Sequence, residues 1–395
     1  MMNPGDVVVL GGVRLPIGKF GGSLRGYRVY ELGALAISGV IRQTQIEPST
    51  IDEVFVACNR QSGNGPNPGR SAAVLAGLPA TIPAHTINMA CPAGLRAVVE
   101  AAQAIRLDEC SIAIVCGMES MSTIPHILMD ARWTPTRTGD IVIRDEFFSM
   151  TEPLSGMRST ELAEHTASKY RISRAEQEQF ALNSHRKAAK ARAAGWFDKE
   201  LIPVPARVTK VSSSELLTAD ECIRADATLE HMRRLEPVHP DGTVTAATSS
   251  GVTDGAGALI ITTRARARQM GVRPLASLVG YLQVGLDPLE MLEGPAVAIP
   301  AILDRVGMNL SQMDFIEVNE AFAVQVIANE RALQWDGSRL NVHGGAIALG
   351  HPTGFTGIRL LLSAANALRI HGGEHALISV CGGGGLGVAM IIRAE

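Results

Sequence analysis

The stretch STIDEVFVACN at residues 49–59 has a counterpart in SQMDFIEVNEA at residues 311–321, and the two begin an internal repeat. The first copy continues with AGLRAVVEAAQAI at 93–105 and SIAIVCG at 111–117, and the second with TGIRLLLSAANAL at 356–368 and ALISVCG at 376–382. Apolar runs of strand length with helical segments between them are typical of parallel sheets covered on both faces. The repeat therefore predicts an α/β protein made of two similar halves.

The sequence between the two copies has a different character. From about residue 123 to residue 243 it is polar, charged and punctuated by prolines, and it does not repeat elsewhere. Loops carried on a rigid α/β body commonly form the cover of a ligand site. We therefore expect an N-terminal half at 1–122, an inserted loop domain at 123–243, a return segment at 244–274 that completes the N-terminal half, and a C-terminal half at 275–395.

The composition is that of a globular protein with an aliphatic interior, since 46% of the residues are hydrophobic and 4% are aromatic. The net charge of −3, with acidic and basic residues interspersed, gives no basic face for nucleic acid. The sequence has no apolar run of the roughly 18 residues that a membrane span needs. Small molecules are the expected partners, with no role for nucleic acid or membrane.

Cysteine and histidine spacing bears on metals and on the compartment. The six cysteines show no CxxC pair, and the ten histidines show no HExxH pattern, so we expect neither a disulfide scaffold nor a metal site. The first residues lack the pattern of a secretory signal or a transit peptide. A reducing cytoplasm is the expected location.

Three candidate catalytic residues lie at the ends of predicted strands or on loops that leave them. Cys91 ends an apolar run and precedes an alanine-rich helix, His351 lies in the glycine-dense stretch NVHGGAIALGHPTGFTG at 341–357, and Cys381 follows HALISV. Taken singly, each is as easily an inert cysteine or a loop histidine. Because α/β sheets collect ligands at the carboxyl ends of their strands, the three together predict a shared site. The helix N-terminus is expected to lower the pKa of Cys91 and make it the nucleophile.

The glycine run that follows Cys381 resembles a phosphate loop. It comes at the last strand, however, with no helix after it and no acidic partner for a ribose, which argues against a dinucleotide site. Bare glycines instead let the backbone pass close to reacting atoms.

The chain resembles the thiolase family along nearly its whole length. The motifs, in family order, are VVVLGGVRLPIGKFGGSL, GRSAAVLAGLP, the Cys91 segment, CGMESMS, YRISRAEQEQFAL, GTVTAATSSGVTDGAGAL, VNEAFA, GHPTGFTG and CGGGGLGVAM. This resemblance implies the thiolase fold, in which two similar α/β halves stack as αβαβα layers with an inserted loop domain. It also implies coenzyme A as a substrate, no permanently bound cofactor, and a homodimer or homotetramer with a possible additional subunit.

The resemblance also implies roles for the matching residues. Cys91 attacks and becomes acylated, His351 takes its proton, and Cys381 exchanges a proton with the substrate carbon next to the thioester. Asn319 holds a water beside His351 to form one oxyanion hole, and the backbone N–H groups of Cys91 and Gly383 form the other. Ser250 and Gly251 match a position that touches the pantetheine of coenzyme A. A strand-end turn is the alternative for Asn319, and a ligand-free turn is the alternative for Ser250 and Gly251.

Three departures from the family bear on the acyl group. The nucleophile motif reads CPAG, where most thiolases have C-A/G-S-G, and Phe355 replaces a small residue in GHPTGFTG. Arg158 falls where many acetoacetyl-CoA thiolases have the histidine of His-Met-Gly. An arginine near an acyl pocket favours a carboxylated acyl group, and the alternatives for Arg158 are a solvated loop residue or a contact to a coenzyme A phosphate. The expectation is poor activity on acetoacetyl-CoA and better activity on a bulky, carboxylated or aromatic 3-oxoacyl-CoA.

The sequence thus predicts an acyltransferase that cleaves a 3-oxoacyl-CoA with coenzyme A, or runs the reverse Claisen condensation, through an acyl-cysteine. One alternative is a decarboxylating condensing enzyme of the ketoacyl-synthase type, although Cys381 in the third catalytic position argues against it. The other alternative is a non-catalytic subunit that binds acyl-CoA.

Overall fold

The computed structural model of the chain describes residues 5–129, 131–133, 138–148, 151–209 and 214–395. The N-terminal half comprises β1 (Val7–Arg14), β2 (Gly18–Lys19), α1 (Val29–Thr44), β3 (Glu53–Ala57), α2 (Pro68–Leu75), β4 (Ala84–Ile87), α3 (Ala93–Arg106) and β5 (Ile112–Ser120). The segment that follows has short strands and three helices: β6 (His126–Ile127), β7 (Arg144–Asp145), α4 (Ser159–Tyr170), α5 (Arg174–Ala193), β8 (Val204–Pro205), β9 (Leu216–Leu217) and α6 (Leu229–Arg233).

The chain then returns to the first half and builds the second. The return consists of β10 (Thr253–Thr263) and α7 (Arg264–Gln269). The C-terminal half comprises β11 (Ala276–Gly285), α8 (Gly294–Val306), β12 (Phe315–Val318), α9 (Ala323–Leu333), α10 (Ala346–Leu349), α11 (Thr353–His371), β13 (His375–Gly382) and β14 (Leu386–Ala394).

The strands form two sheet regions that meet where β1 pairs with β11. The first has the order β1, β10, β5, β3, β4, and the second has the order β11, β14, β13, β12. Helices α3 and α11 pack between the two regions, while α1 and α2 cover the outer face of the first and α8 covers that of the second. The predicted arrangement of two α/β halves in αβαβα layers is confirmed.

The sheets are mixed, whereas the apolar runs of the repeat are typical of parallel sheets. Only β3, β4 and β5 in the first region and β12 with β13 in the second run parallel, and the remaining pairs are antiparallel. In the second half the cause is local, because glycines after Cys381 allow a tight hairpin between β13 and β14. Gly384 and Gly385 have φ values of 83° and 78°, which L side chains rarely adopt.

The two central helices touch through glycine. A methyl group on Gly357 of α11 would overlap the backbone nitrogen of Leu95 in α3, so the two backbones lie in direct contact. Both helices begin just after a candidate catalytic residue, Cys91 for α3 and His351 for α11. This contact between helices therefore sets how closely the two halves of the site approach each other.

Among the described residues, no helix combines the length and the apolar character that crossing a membrane requires.

Candidate active site

The parallel strands deliver their loops to one edge of the molecule. Cys91 follows β4, Asn319 follows β12, and Cys381 is the penultimate residue of β13. The backbone N–H of Asn319 donates to the carbonyl of Ser379 at 3.0 Å, which ties the end of β12 to the strand that carries Cys381. The predicted meeting of these residues at the carboxyl ends of strands is what the structure has.

Cys91 lies directly before Pro92, the N-cap of α3. The preceding residue, Ala90, has a φ of 52°, a left-handed conformation that is strained for a residue with a side chain. The Asn88 side chain accepts the Ala90 N–H at 3.0 Å and supports this turn. The strained turn presents Cys91 at the start of the buried helix.

The expected low pKa of Cys91 is not found. Burial raises the pKa of the thiol to about 11, against the opposing effects of the Arg60 charge and of the backbone N–H groups of Cys91 and Gly383. Desolvation of the thiolate outweighs the helix N-terminus because the sulfur is closely surrounded, even though Cys91 as a residue is partly exposed. The resting nucleophile is therefore a thiol, and it needs a base when it attacks.

His351 can be that base. Its Nδ1 lies 2.7 Å from Thr356 Oγ1, and the same hydroxyl lies 3.1 Å from the carbonyl oxygen of Pro352. Because a carbonyl oxygen only accepts, the hydroxyl donates to Pro352, and its oxygen accepts the Nδ1–H of His351. Nε2 is then left without a proton and is free to accept one.

The surroundings of His351 keep it neutral. Burial, with the charge of Arg359 nearby, lowers the pKa of His351 to about 3. The backbone N–H of His351 donates to the carbonyl of Gly251 at 3.0 Å, which fixes the loop. An uncharged imidazole held in this way can take the proton of Cys91 during attack.

Asn319 faces the reactive side of His351. Its Nδ2 lies 3.4 Å from His351 Nε2, the side chain is fully buried, and its Oδ1 has no hydrogen-bond partner among the described residues. A buried amide beside a catalytic imidazole provides a donor for oxygen that gains charge. This position fits the first oxyanion hole expected from the sequence.

Cys381 and Gly383 complete the centre from the C-terminal hairpin. The Cys381 thiol is buried among apolar side chains, and burial together with the nearby Cys91 raises its pKa. The backbone N–H groups of Gly383 and of Cys91 itself act on the Cys91 thiol and lower its pKa, against the larger effect of burial. Two backbone donors beside this sulfur are compatible with the second oxyanion hole expected from the sequence.

A buried carboxylate, Glu119, ties these loops together. It accepts the N–H groups of Asn59 and Arg60 at 3.1 and 3.0 Å, and the Thr353 hydroxyl and Gly354 N–H at 2.7 and 3.0 Å. One side chain of the N-terminal half therefore holds the start of α11, two residues after His351.

Ser250 and Gly251 lie at the edge of the centre. Both are partly exposed, and the Ser250 N–H donates to the Ala321 carbonyl at 3.0 Å, while Gly251 holds the backbone of His351. Their location beside the base is compatible with the expected contact to pantetheine.

Phe355 does not line an acyl pocket, contrary to the expectation. Its side chain is fully buried and packs against β10, where methyl groups on Gly255 or Gly257 would meet its ring. Phe355 faces the sheet because it lies in the first turn of α11, on the side toward β5 and β10. Those glycines leave room for the larger side chain.

Arg158 is placed as in the first of its two alternatives, that of a solvated residue. It is the N-cap residue of α4, its side chain is 49% exposed, and its guanidinium pairs with Glu161 at 3.4 Å. Among the described residues it has no contact with Cys91, His351 or Cys381. The inserted segment approaches the centre instead through Met157, which packs against the apolar cluster that contains Cys381.

Three residues near the centre were not predicted: Thr356, Glu119 and Arg60. The sequence contains a signal for Glu119, because this acidic residue comes directly after a long apolar run, within the motif CGMESMS. Arg60 also had one, because it is a charged residue just after a strand. Thr356 had none beyond its place in the histidine motif. Within the described part of the chain, no group of three or more His, Cys, Asp or Glu side chains is arranged to hold a metal ion.

Known proteins resemble this chain over its full length. Residues 7–265 match the thiolase N-terminal domain and residues 272–394 match the thiolase C-terminal domain. The acetyl-CoA acetyltransferase of Cupriavidus necator is 39% identical over 393 residues, which cover 99% of this chain and 100% of that protein. The beta-ketoadipyl-CoA thiolase of Pseudomonas knackmussii is 38% identical over 398 residues, covering 98% and 99% of the two chains.

A solved structure gives the same result. The crystal structure of human mitochondrial 3-ketoacyl-CoA thiolase in complex with CoA has a TM-score of 0.94 and 36% identity, and the match covers 100% of this chain and 99% of that one. Two domain matches, relatives near 40% identity and a shared fold agree with the catalytic motifs described above. The chain belongs to the thiolase family of acyltransferases.

Proposed function

We propose that this protein is a thiolase that cleaves a 3-oxoacyl-CoA with coenzyme A, or runs the reverse condensation, through an acyl group on Cys91. The observation that carries the proposal is the convergence of a thiol, a neutral imidazole with a free Nε2 and a second thiol at one edge of the fold. Each group has the protonation state that its step needs.

In the first half-reaction Cys91 Sγ attacks the 3-oxo carbonyl and its proton passes to His351 Nε2. The carbonyl oxygen gains negative charge, which an oxyanion hole stabilises by donation from N–H groups. The bond between the second and third carbons then breaks, and Cys381 gives its proton to the leaving carbon. Acetyl-CoA departs, and the acyl group stays on Cys91 as a thioester.

In the second half-reaction the thiol of coenzyme A attacks this thioester. The Cys91 sulfur leaves, and the proton from coenzyme A and the proton held on His351 restore the two protein thiols. The products are an acyl-CoA shortened by two carbons and the free enzyme. The backbone N–H groups of Cys91 and Gly383, which already favour the thiolate of Cys91, would stabilise the oxyanion of a thioester on Cys91.

Coenzyme A is the proposed second substrate, with Ser250 and Gly251 touching its pantetheine arm. No permanently bound cofactor is needed, since each proton transfer has a side chain to carry it. A homodimer or homotetramer remains the proposed assembly, and a cytoplasmic location remains the proposed compartment.

The two alternatives make different predictions in one assay. Purified protein is given 3-oxohexanoyl-CoA with and without free coenzyme A, and the products are separated by chromatography. A thiolase yields butyryl-CoA and acetyl-CoA only when coenzyme A is present. A parallel reaction supplies malonyl-CoA with acetyl-CoA. A decarboxylating condensing enzyme would consume malonyl-CoA in that reaction, and a binding subunit would leave the compounds of both reactions unchanged.

A further inference from the structure

Arg60 is a cation that the structure puts beside the nucleophile. It follows β3, and its backbone N–H is held by Glu119 at 3.0 Å. The carbonyl of the preceding Asn59 accepts from Asn88 Nδ2 at 3.2 Å, in the turn that leads to Cys91. The backbone of Arg60 is therefore fixed to the same frame as the catalytic centre.

The guanidinium of Arg60 has no acidic partner in the part of the chain that the structure describes. It lies over the ring of Phe147, 5.2 Å from the ring centroid, and among the described residues it makes no ion pair and no side-chain hydrogen bond. Glu119 accepts from three backbone N–H groups, that of Arg60 among them, and from the Thr353 hydroxyl. Glu146, next to Phe147, accepts from Ser62 at 2.8 Å through Oε1, and its Oε2 has no hydrogen-bond partner among the described residues. The side chain is only partly buried, so its donors remain available to a ligand.

The position of Arg60 decides which part of the substrate it meets. The hydrogen bond from Asn88 to Asn59 ties the residue before Arg60 to the turn that ends at Cys91, and the Arg60 charge favours the Cys91 thiolate. The phosphates of coenzyme A are separated from the reacting carbonyl by the whole pantetheine arm. A cation close to Cys91 therefore meets the acyl group and not the nucleotide.

Phe147 belongs to a small aromatic cluster beside this cation. Its ring lies 4.9 Å from that of Phe148, which in turn lies 5.9 Å from the ring of Phe20. Aromatic rings next to a guanidinium give an acyl chain an apolar wall that ends at a positive charge. A planar guanidinium matches the two oxygens of a carboxylate.

We propose that Arg60 binds a carboxylate at the far end of the acyl chain, so that the substrates are 3-oxoacyl-CoA thioesters of dicarboxylic acids. This proposal rests on the thiolase function proposed above. It moves the recognition of a carboxylate from Arg158, which pairs with Glu161, to an arginine without an acidic partner at the catalytic centre.

The first test compares two substrates of equal length, the mono-CoA thioester of 3-oxoadipic acid and 3-oxohexanoyl-CoA. The wild type is expected to have the higher kcat/KM for the carboxylated substrate. Arg60→Gln is expected to lower that value by about ten- to a hundredfold relative to the neutral one, which is the effect of one charge-assisted hydrogen bond. Arg106→Gln is the matched control, because it removes one arginine at the opposite end of α3.

The second test separates binding from chemistry. In a Cys91→Ala background, calorimetry compares succinyl-CoA with butyryl-CoA, with and without Arg60→Gln. Tighter binding of succinyl-CoA that disappears in Arg60→Gln supports the proposal even if thiolysis fails, in which case the proposed thiolase function alone is wrong. Equal affinities for the two ligands, or equal losses of kcat/KM on both substrates, would overturn it and leave Arg60 as a group that acts only on the Cys91 thiolate.

Discussion

At the scale of single residues, burial has a larger effect than neighbouring charges on the pKa values of Cys91 and His351. Burial raises the pKa of Cys91 to about 11 and lowers that of His351 to about 3, so both groups are neutral at rest. The sequence predicts a site at Cys91, His351 and Cys381 because each lies at the end of a predicted strand or on a loop that leaves one. It does not reveal their pKa values, because desolvation depends on side chains that are distant in sequence. For the same reason the sequence does not show that the ring of Phe355 faces the sheet, or which of the alternatives for Arg158 applies.

The hydroxyl of Thr356 is expected to orient His351 and to hold its proton on Nδ1. Thr356→Val removes this acceptor at nearly constant volume, so we expect kcat to fall by about ten- to a hundredfold with little change in KM. Steady-state kinetics check this. Thr356→Ser should recover most of the rate, and a Val variant as active as the wild type would show that the hydroxyl does not position the base.

At the scale of elements, the contact between α3 and α11 joins the two halves of the site. The alanine and glycine content of these helices predicts their burial between two layers, and the structure has them there. The sequence does not predict in the same way whether β14 runs parallel or antiparallel to β13. Whether a strand returns by a hairpin or by a crossover depends on turn geometry, and four consecutive glycines permit several turns.

Adding one methyl group at Gly357 tests whether the close contact between α3 and α11 holds the two halves of the site together. Gly357→Ala would overlap the backbone of α3, and we expect it to lower the free energy of unfolding by about 1–3 kcal/mol. It should also slow thiolysis, because Cys91 and His351 lie at the starts of the two helices. Urea unfolding and kinetics measure both effects. Gly285→Ala, which has open space around it, is the control, and unchanged values for Gly357→Ala would mean that the contact is not tight.

At the scale of the whole molecule, folding buries neutral histidines far from the reaction. Burial lowers the pKa of His185 to about 4, and burial with the neighbouring His371 lowers that of His343 to about 4. An unfolded chain binds protons at histidine below about pH 6.5, where the folded chain does not. Stability is therefore expected to fall as the pH drops from about 6.5 toward 4. The buried Glu317, whose pKa is raised to about 8, acts in the opposite direction, because its folded form holds a proton over a wider range.

His343→Gln isolates one of these contributions. Between about pH 6 and pH 4.5 the stability of the wild type should fall faster than that of the variant, by about 1.4 kcal/mol per pH unit. Urea unfolding at several pH values gives the two slopes. The same change at the exposed His231 serves as the comparison. Parallel slopes for wild type and His343→Gln would show that His343 titrates equally in both states.

The central claim is that Cys91 carries the acyl group, and peptide mass spectrometry after brief exposure to acetyl-CoA tests it most directly. The acetyl mass is expected on the peptide that contains Cys91 in the wild type. It is also expected in Cys381→Ala, because Cys381 serves carbon–carbon exchange and not acyl transfer, and it should be absent in Cys91→Ala. Acetylation at Cys110 or Cys222 with Cys91 unmodified, or full thiolysis by Cys91→Ala, would contradict the account.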